Sequence, residues 1–336
     1  MKNSKYLPLL ATFVVFVLAY VICISVFPNM LSTRVAGNLL TDNAFLGITA
    51  VGMTFVILSG GIDLSVGSVI AFTGVFLSVI LRDTSIHPLA AFVLVLALTT
   101  AFGAAMGGII FFLDMPPFIV TLAGMFLARG ISYLLTTESV PITHPFYSTL
   151  QDLYIRMPGG GRLTLIAMIM VAVFAFGIIL AQRTRFGTYV YALGGNLTSA
   201  QLMGVPVAKT TIGIYALSGF LAGLSGIVFS LYTSAGYSLA AVGVELDAIA
   251  AVVIGGTLLT GGYGFVAGTF LGICIQGLIQ TYIVFDGTLS SWWTKIVIGL
   301  LLFGFIALQR GLMWMSERSS RNMRHASASG AQPTSA

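Results

Sequence analysis

Charged residues are scarce in this chain. Only 7% of its 336 residues are Asp, Glu, Lys or Arg, whereas 57% are hydrophobic. Soluble domains carry about 25% charged residues, so the composition excludes an ordinary soluble protein. The apolar runs are continuous rather than alternating, which excludes a transmembrane β-barrel. The sequence therefore predicts an all-α polytopic membrane protein with about ten transmembrane helices.

Cysteine is nearly absent, and the basic residues form no cluster. Cys23 and Cys274 lie in separate apolar runs with no second Cys or His nearby, so we expect neither a disulfide framework nor a metal site. The net charge of +5 would suit nucleic acid, but the Lys and Arg residues are dispersed at the ends of the apolar runs. Membrane orientation explains them better, and we expect no nucleic-acid partner.

Enzyme motifs are also missing. The chain has no G-x-x-x-x-G-K-[ST] phosphate loop and no H-E-x-x-H zinc motif. Gly223–Gly226 matches the G-x-S-G pattern of rhomboid proteases, but no later span offers a histidine as general base for Ser225. The histidines of the chain are His87, His144 and His325. We therefore expect no catalytic residue, no bound cofactor and no ATPase activity in this chain.

The apolar runs predict ten spans and a cytoplasmic location for both termini. The spans are Leu7–Phe27, Leu39–Leu58, Leu64–Leu81, Pro88–Leu113, Pro117–Leu135, Leu163–Gln182, Thr210–Ser234, Val244–Thr260, Tyr263–Phe285 and Trp292–Gln309. The positive-inside rule favours this orientation. Inside lie Lys2, Lys5, Arg183, Arg185, Lys209, Arg310, Arg318, Arg321 and Arg324, and outside lie Arg34, Arg82, Arg156, Arg162 and Lys295. Residues 1–315 form the transmembrane domain, and we predict a disordered cytoplasmic tail at 316–336.

Segment 183–209 is the one long polar, basic interval with apolar runs of spanning length on both sides. The orientation above places it in the cytoplasm. Within it, Thr198 and Gln201 match a capping box, Gly204 suits the left-handed position after a helix, and Pro206 forbids continuation. A helix of two turns is marginal by itself, so stop signals at both ends indicate that it packs against something. We predict a rigid element to which a partner binds.

Two other loops are informative. The predicted outer loop, residues 136–162, mixes aromatic and turn residues and predicts a short helix at Phe146–Ile155 on the membrane surface. The turn between the second and third spans is so tight that Gly60 and Gly61 must supply backbone conformations that other residues resist. Asp63 is placed to cap the third helix.

Polar residues within the predicted spans are few. Arg129 either satisfies helix carbonyls or a buried carboxylate, or lines a polar route. Gln276 and Gln280 lie one turn apart on the ninth span and either bond neighbouring helices or wet a pore. All three are candidates for a translocation path. A proton- or ion-coupled carrier would need more titratable groups at this depth, so secondary transport is disfavoured.

Five segments resemble the permease subunits of ribose/xylose/galactose-type ABC sugar importers, and galactofuranose importer permeases most of all. They occur in the family's order from about the second span to the tenth. The segments are GMTFVILSGGIDLSVGSV (Gly52–Val69), MPPFIVTLAGMFLARG (Met115–Gly130), RFGTYVYALGGNLTSAQLMGVPV (Arg185–Val207), SGFLAGLSGI (Ser218–Ile227) and ELDAIAAVVIGGTLLTGGYG (Glu245–Gly264).

The resemblance implies the fold of an ABC importer permease, a function and a set of partners. Such permeases pair in the bacterial inner membrane, as a heterodimer in the galactofuranose system. They receive sugar from a periplasmic binding protein and are driven by separate ATPase subunits, which use the ATP. The resemblance also implies a coupling helix that enters the ATPase groove, formed by Asn196, Thr198, Ser199, Gln201, Leu202, Met203 and Gly204. A self-sufficient secondary carrier or channel for a small polar solute is the alternative.

Overall fold

The structure is a computed structural model that describes residues 7–307 and residue 311. It is almost entirely helical, with four short strands and one 3-10 turn at Pro28–Met30. The helices are α1 (Leu7–Val26), α2 (Thr33–Asp42), α3 (Ala44–Leu58), α4 (Val66–Asp83), α5 (Pro88–Phe112), α6 (Pro117–Leu135), α7 (Pro145–Gln151), α8 (Leu165–Arg183), α9 (Arg185–Gly195), α10 (Leu197–Leu202), α11 (Val207–Thr233), α12 (Val244–Ile254), α13 (Val266–Asp286) and α14 (Trp292–Ala307). The strands are β1 (Val140–Pro141), β2 (Tyr154–Arg156), β3 (Arg162–Thr164) and β4 (Ala235–Gly236).

A polytopic membrane protein is confirmed, whereas the count of ten spans is not. Among the described residues seven helices are long and apolar enough to cross a membrane, and the pair α2–α3 makes an eighth if it counts as one span bent by 57°. The predicted span Val244–Thr260 is helical only as far as Ile254, where Gly255 and Gly256 follow, and Gly256 has a φ of +90°. The last predicted span is helical at Trp292–Ala307, and its end lies outside the described residues.

Helix α3 is the centre of the bundle. All its residues except Phe45 are buried, as expected for a helix that is apolar on every side. It packs against α8, α11, α12 and α13. The most extensive helix pair is α5 with α11. A Cβ added at Gly219 would lie 3.1 Å from the Cα of Gly103, so the predicted small-residue faces serve close packing within the subunit.

The loops gather at two opposite ends of the bundle, in the grouping that the predicted topology requires. One end, which we call the coupling end, carries segment 183–209 together with the α3–α4, α5–α6 and α12–α13 connections. At the other end, which we call the distal end, β1 pairs with β4 and β2 pairs with β3. There Thr33 Oγ1 donates to the Pro158 carbonyl at 2.6 Å. Which end faces the cytoplasm remains a prediction from the charge distribution, and the tail lies outside the described residues.

The short helix of the distal loop was predicted too long. Helix α7 ends at Gln151, and Ile155 lies in β2 instead, opposite Leu163 in the antiparallel pair β2–β3. Its start is fixed by His144, whose Nδ1 accepts from the amide of Phe146 at 3.1 Å. The Gly-rich stretch between β2 and β3 supplies the two left-handed residues of the turn, Gly159 and Gly160.

Candidate functional site

Helices α9 and α10 form the polar segment at the coupling end. Thr184 caps α9 by accepting from the Gly187 amide at 3.2 Å. Asn196 caps α10 by accepting from the Ser199 amide at 2.8 Å. The predicted capping box of Thr198 and Gln201 is therefore wrong: Thr198 lies inside α10. The helix begins two residues earlier because Asn196 is extended, with φ −164°, and is as good a cap as threonine.

The end of α10 matches the prediction. Gly204 has a φ of +76°, the left-handed conformation expected there. Its amide donates to the Gln201 carbonyl at 3.0 Å, and the amide of Val205 donates to the Ala200 carbonyl at 3.1 Å. These two bonds form a Schellman motif, and α11 starts directly after Pro206. Segment 183–209 is thus fixed by hydrogen bonds at both ends of its short helix.

The exposed surface of α10 includes large apolar side chains beside polar ones. Leu202 is 85% exposed and Met203 72% exposed, whereas Ala200 on the opposite face is fully buried. Basic residues Arg183, Arg185 and Lys209 flank the same segment. Exposed large apolar side chains beside a polar surround are typical of a protein interaction site.

The inner face of this segment rests on two glycine-rich turns. Gly194 and Gly195 at the end of α9 meet Gly60 of the α3–α4 turn and Gly261 and Gly262 of the α12–α13 turn. We call these five residues the glycine junction. The amide of Gly262 donates to the Leu58 carbonyl at 2.8 Å, and Gly60, Gly261 and Gly262 all have left-handed φ values.

The junction is a contact of backbone with backbone. A Cβ added at Gly194 would overlap the Leu58 carbonyl oxygen and lie 2.9 Å from its carbon. One added at Gly261 would lie 2.9 Å from the Cα of Gly60 and 3.1 Å from that of Gly194. Carbon atoms pack at about 3.5–4.0 Å, so no side chain fits between these segments. Helix α9 therefore touches the ends of both α3 and α12–α13 directly.

A tyrosine hydrogen bond also stabilises the contact between α9 and the α12–α13 turn. Tyr191 of α9 donates its hydroxyl to the Gly264 carbonyl at 2.8 Å. Burial raises the pKa of Tyr191 to about 12, so the hydroxyl keeps its proton at neutral pH and remains a donor.

Asp63 holds the α3–α4 turn against α11. Its Oδ1 accepts from the Ser65 amide at 2.9 Å and the Ser65 hydroxyl at 2.6 Å, and its Oδ2 accepts from the Ser218 hydroxyl at 2.7 Å. Ser65 occupies the N-cap position of α4 but makes no side-chain capping bond. The predicted N-cap at Asp63 is therefore two residues too early, although the Asp63 carboxylate does accept from an amide at the start of the helix. Burial raises the pKa of the Asp63 carboxyl, and the hydrogen bonds from Ser65 and Ser218 oppose the rise. Gly61 is needed because a Cβ there would overlap the Tyr215 hydroxyl.

The predicted path residues are not brought together. Arg129 Nη1 donates to the carbonyls of Ser238 and Ala240 at 2.6 and 2.8 Å, so it holds the loop between β4 and α12. Gln276 is fully buried and donates to the Asp247 carbonyl at 3.1 Å, which ties α13 to α12. The Gln276 contact matches the predicted bond to a neighbouring helix, and Arg129 has a packing role as well, although its acceptors are loop carbonyls and not the predicted helix carbonyls or carboxylate.

Gln280, by contrast, is exposed and lines a pocket at the distal end. Two of its polar neighbours there, Asn38 and Asp42, were not predicted. The signal was available, because the polar residues Thr41, Asp42 and Asn43 interrupt the start of the predicted second span. Of the predicted path residues, Gln280 is the one that this structure leaves open to a solute.

Ser225 is part of the helix packing. Its hydroxyl donates to the Phe45 carbonyl at 2.6 Å and accepts from Thr49 at 2.9 Å. Of the histidines, His87 and His144 pack against each other at the distal end, with ring centroids 6.3 Å apart, and His325 lies outside the described residues. The described residues therefore hold no nucleophile–base pair at Ser225.

Comparison with known proteins gives a consistent set of relatives. A family profile described as "Branched-chain amino acid transport system / permease component" matches residues 35–306. The chain is 66% identical over 319 residues to the inner membrane ABC transporter permease protein YjfF of Escherichia coli (strain K12), covering 94% of this chain and 96% of that one. It is 36% identical to the fructose import permease protein FruG of Bifidobacterium longum, covering 93% of each chain. It is 39% identical to the ribose import permease protein RbsC of Escherichia coli (strain K12), covering 80% and 84%. No solved structure gives a significant match.

Proposed function

The chain belongs to the family of permease components of branched-chain amino acid transport systems, as a permease of a sugar ABC importer, and from this we propose how it works. It forms one half of a membrane path that alternately opens to each side of the bacterial inner membrane. The α9–α10 segment lies in the cytoplasm and receives the motion of a separate ATPase subunit. The glycine junction passes that motion to the helices that enclose the path.

One observation carries this proposal: a short helix with fixed ends that has exposed apolar side chains on one side and the glycine junction on the other. An ATPase that binds Leu202 and Met203 would displace α9 as well, because α9 and α10 are joined by Asn196 alone. Backbone contact leaves no soft side chain to absorb the displacement, so the α3–α4 and α12–α13 turns must move with it.

The partners follow from the resemblance and from the names of the relatives. We propose an ATPase subunit at the coupling end, a periplasmic sugar-binding protein at the distal end and a second permease beside this one, as a heterodimer. The exposed apolar faces of α1 and α6, which include Phe118, Phe126 and Leu134, leave surface for lipid or for the second permease. ATP is consumed by the ATPase, and this chain binds no cofactor.

Galactofuranose is the sugar that we propose. The five segments from Gly52 to Gly264 resemble galactofuranose importer permeases. Ribose and fructose, the sugars in the names of two relatives, also form five-membered rings. The family description mentions branched-chain amino acids, but such a zwitterion requires partners for both a carboxylate and an ammonium group.

Reconstitution tests the proposal. Proteoliposomes that contain this chain, its second permease and the ATPase should accumulate galactofuranose when ATP and the loaded binding protein are supplied. Proteoliposomes that contain this chain alone should transport none. Flux through the isolated chain, without nucleotide, would instead support the secondary carrier or channel and refute the proposal.

A further inference from the structure

A polar pocket opens at the distal end between α2, α11 and α13. Its volume is about 450 Å³, within the roughly 300–1,000 Å³ of small-molecule sites. The polar side chains that line it are Asn38, Asp42, Asn43, Tyr232, Gln280 and Thr281. Two aromatic rings, Phe45 and Phe229, stand beside them with their centroids 5.0 Å apart. We call this the distal pocket.

The distal pocket lies at membrane depth. Helix α3 has 15 residues and runs from the pocket to the coupling end, a length of about 22 Å. The hydrocarbon core of a bilayer is about 30 Å thick, so Asn43 at the start of α3 lies within its distal half. Gln280 is 14 residues beyond Val266, the first residue of α13, which is about 21 Å along the same direction.

Polar groups at this depth are costly when lipid covers them. A carboxylate, three amides and a phenol in contact with acyl chains would lose their hydrogen bonds to water. The pocket also coincides with the 57° bend between α2 and α3. Broken spans within a membrane occur where the interruption is buried in protein or lines a water-filled cavity, often at a binding site. The distal pocket therefore faces water.

The hydrogen-bonding groups are arranged for a neutral hydroxylated solute. Tyr232 donates to Asp42 Oδ1 at 3.1 Å, which orients the carboxylate. Asn43 is buried in the pocket wall, and its Nδ2 donates to the Leu39 carbonyl at 2.9 Å. Together with Gln280 these groups offer several acceptors and donors at once, as a molecule with many hydroxyls requires.

The charge of the pocket disfavours anionic solutes. Asp42 is the one ionisable acid or base among its lining residues, apart from the phenol of Tyr232. Within residues 7–307 no lysine or arginine lines it, so an anion or the carboxylate of an amino acid would be repelled by Asp42 without a compensating cation. The rings of Phe45 and Phe229 supply an apolar wall for the C–H face of a sugar ring.

We propose that the distal pocket is a binding site for the monosaccharide on its way from the binding protein into the translocation path. This rests on the proposed function, since that function supplies the sugar. It adds the residues that hold it: Asp42, Tyr232 and Gln280 bind hydroxyl groups, and Phe45 and Phe229 contact the ring.

Cysteine protection tests the site directly. The chain has two cysteines, Cys23 and Cys274, and both are buried, so an Asn38→Cys variant adds one exposed thiol to this chain. Asn38 lines the pocket but is not one of the proposed sugar-binding groups. The complete transporter in proteoliposomes is treated with a membrane-impermeant maleimide from the distal side, with and without galactofuranose, D-ribose or D-fructose. A sugar at about ten times its Kd should slow labelling of the pocket about tenfold, because the occupied pocket is shielded.

Val242→Cys is the matched control. Val242 is 66% exposed in the distal loop before α12 and does not line the pocket, so sugar should leave its labelling rate unchanged. Failure of all three sugars to protect Asn38→Cys would overturn the pocket proposal. Labelling that is already blocked without sugar would do the same, because lipid or the second permease would then cover the pocket.

A second pair of variants measures the effect on transport. Removal of one hydroxyl in Tyr232→Phe should lower uptake at limiting sugar about tenfold. Tyr282→Phe, on the same helix as Gln280 but packed on Phe27, should leave uptake unchanged. Equal uptake by both variants would count against the pocket. A different result would refute the proposed function itself: no uptake of sugar by the wild-type transporter when ATP is supplied.

Discussion

Replacement of Gly194 by alanine should uncouple the transporter. The added methyl group would overlap the Leu58 carbonyl oxygen and the Gly262 amide nitrogen, which are both backbone atoms that no rotamer change can move. Overpacking of this kind costs about 1–3 kcal/mol. The hydrogen bond from Gly262 to Leu58, worth about 0.5–1.5 kcal/mol, would also be strained. The gain in helix propensity from Gly to Ala is at most about 1 kcal/mol and does not offset both losses.

The expected size of the effect follows from these terms. A net cost of about 2 kcal/mol in the state with a closed junction would reduce the population of that state about thirtyfold. We expect uptake to fall by a similar factor in proteoliposomes that contain the whole transporter. Stimulation of ATP hydrolysis by the loaded binding protein should fall with it, whereas the ATPase should still bind α10, whose exposed face is unchanged.

Gly195 provides the control. It is the neighbouring residue of the same helix, and a Cβ added there would meet no atom within 4 Å. Gly195→Ala should therefore retain uptake and stimulated ATP hydrolysis. If Gly194→Ala matched Gly195→Ala in both assays, the glycine junction would not transmit motion, and its contacts would serve packing alone.

Four further variants test other parts of the structure. Gln201→Pro breaks α10 and should abolish uptake and stimulation of the ATPase while membrane insertion, followed by fractionation, is normal. Leu202→Glu places a charge on the exposed surface of α10 that we propose binds the ATPase, and it should prevent co-purification of the ATPase. Val242→Glu at the distal end should not. Ser225→Ala loses two hydrogen bonds and should lower the stability measured by thermal unfolding by about 1–3 kcal/mol, while transport continues. If the variant instead lost a proteolytic activity that the wild type has, the protease hypothesis would be supported. Burial raises the pKa of Asp63 in the folded state, so the stability that its protonated form contributes is present below about pH 4 and is lost as the pH rises through the folded pKa. Asp63→Asn should therefore flatten the pH dependence of the unfolding midpoint. An unchanged pH profile would contradict a raised pKa at Asp63.

Local signals in the sequence were sufficient for much of the coupling end. Gly204 and Pro206 mark the end of α10 because a left-handed residue and a proline have specific local meanings. The start of α10 was misplaced because Asn196 and Thr198 are both good caps, and the choice between them depends on the extended backbone at Asn196.

The long-range contacts could not be predicted in the same way. The sequence shows that Gly60 and Gly262 lie in tight turns, but not that the two turns meet each other and Gly194 across the bundle. The eighth predicted span failed for a similar reason. Its apolar run continues past Ile254, yet Gly255 packs against the backbone of Gly268, and Gly256 takes a left-handed φ. The hydropathy of a sequence does not predict where a helix ends when the cause is a close contact with the backbone of another segment.

The burial of α3 on nearly all sides has a consequence for biogenesis. At about 22 Å it is too short to cross the bilayer by itself, and it is preceded by the polar residues Thr41, Asp42 and Asn43. Its neighbours α8, α11, α12 and α13 are all synthesised after it. The ribosome must therefore add well over a hundred residues before α3 acquires its permanent surroundings. During that interval the apolar surface of α3 lacks the helices that cover it in the finished protein.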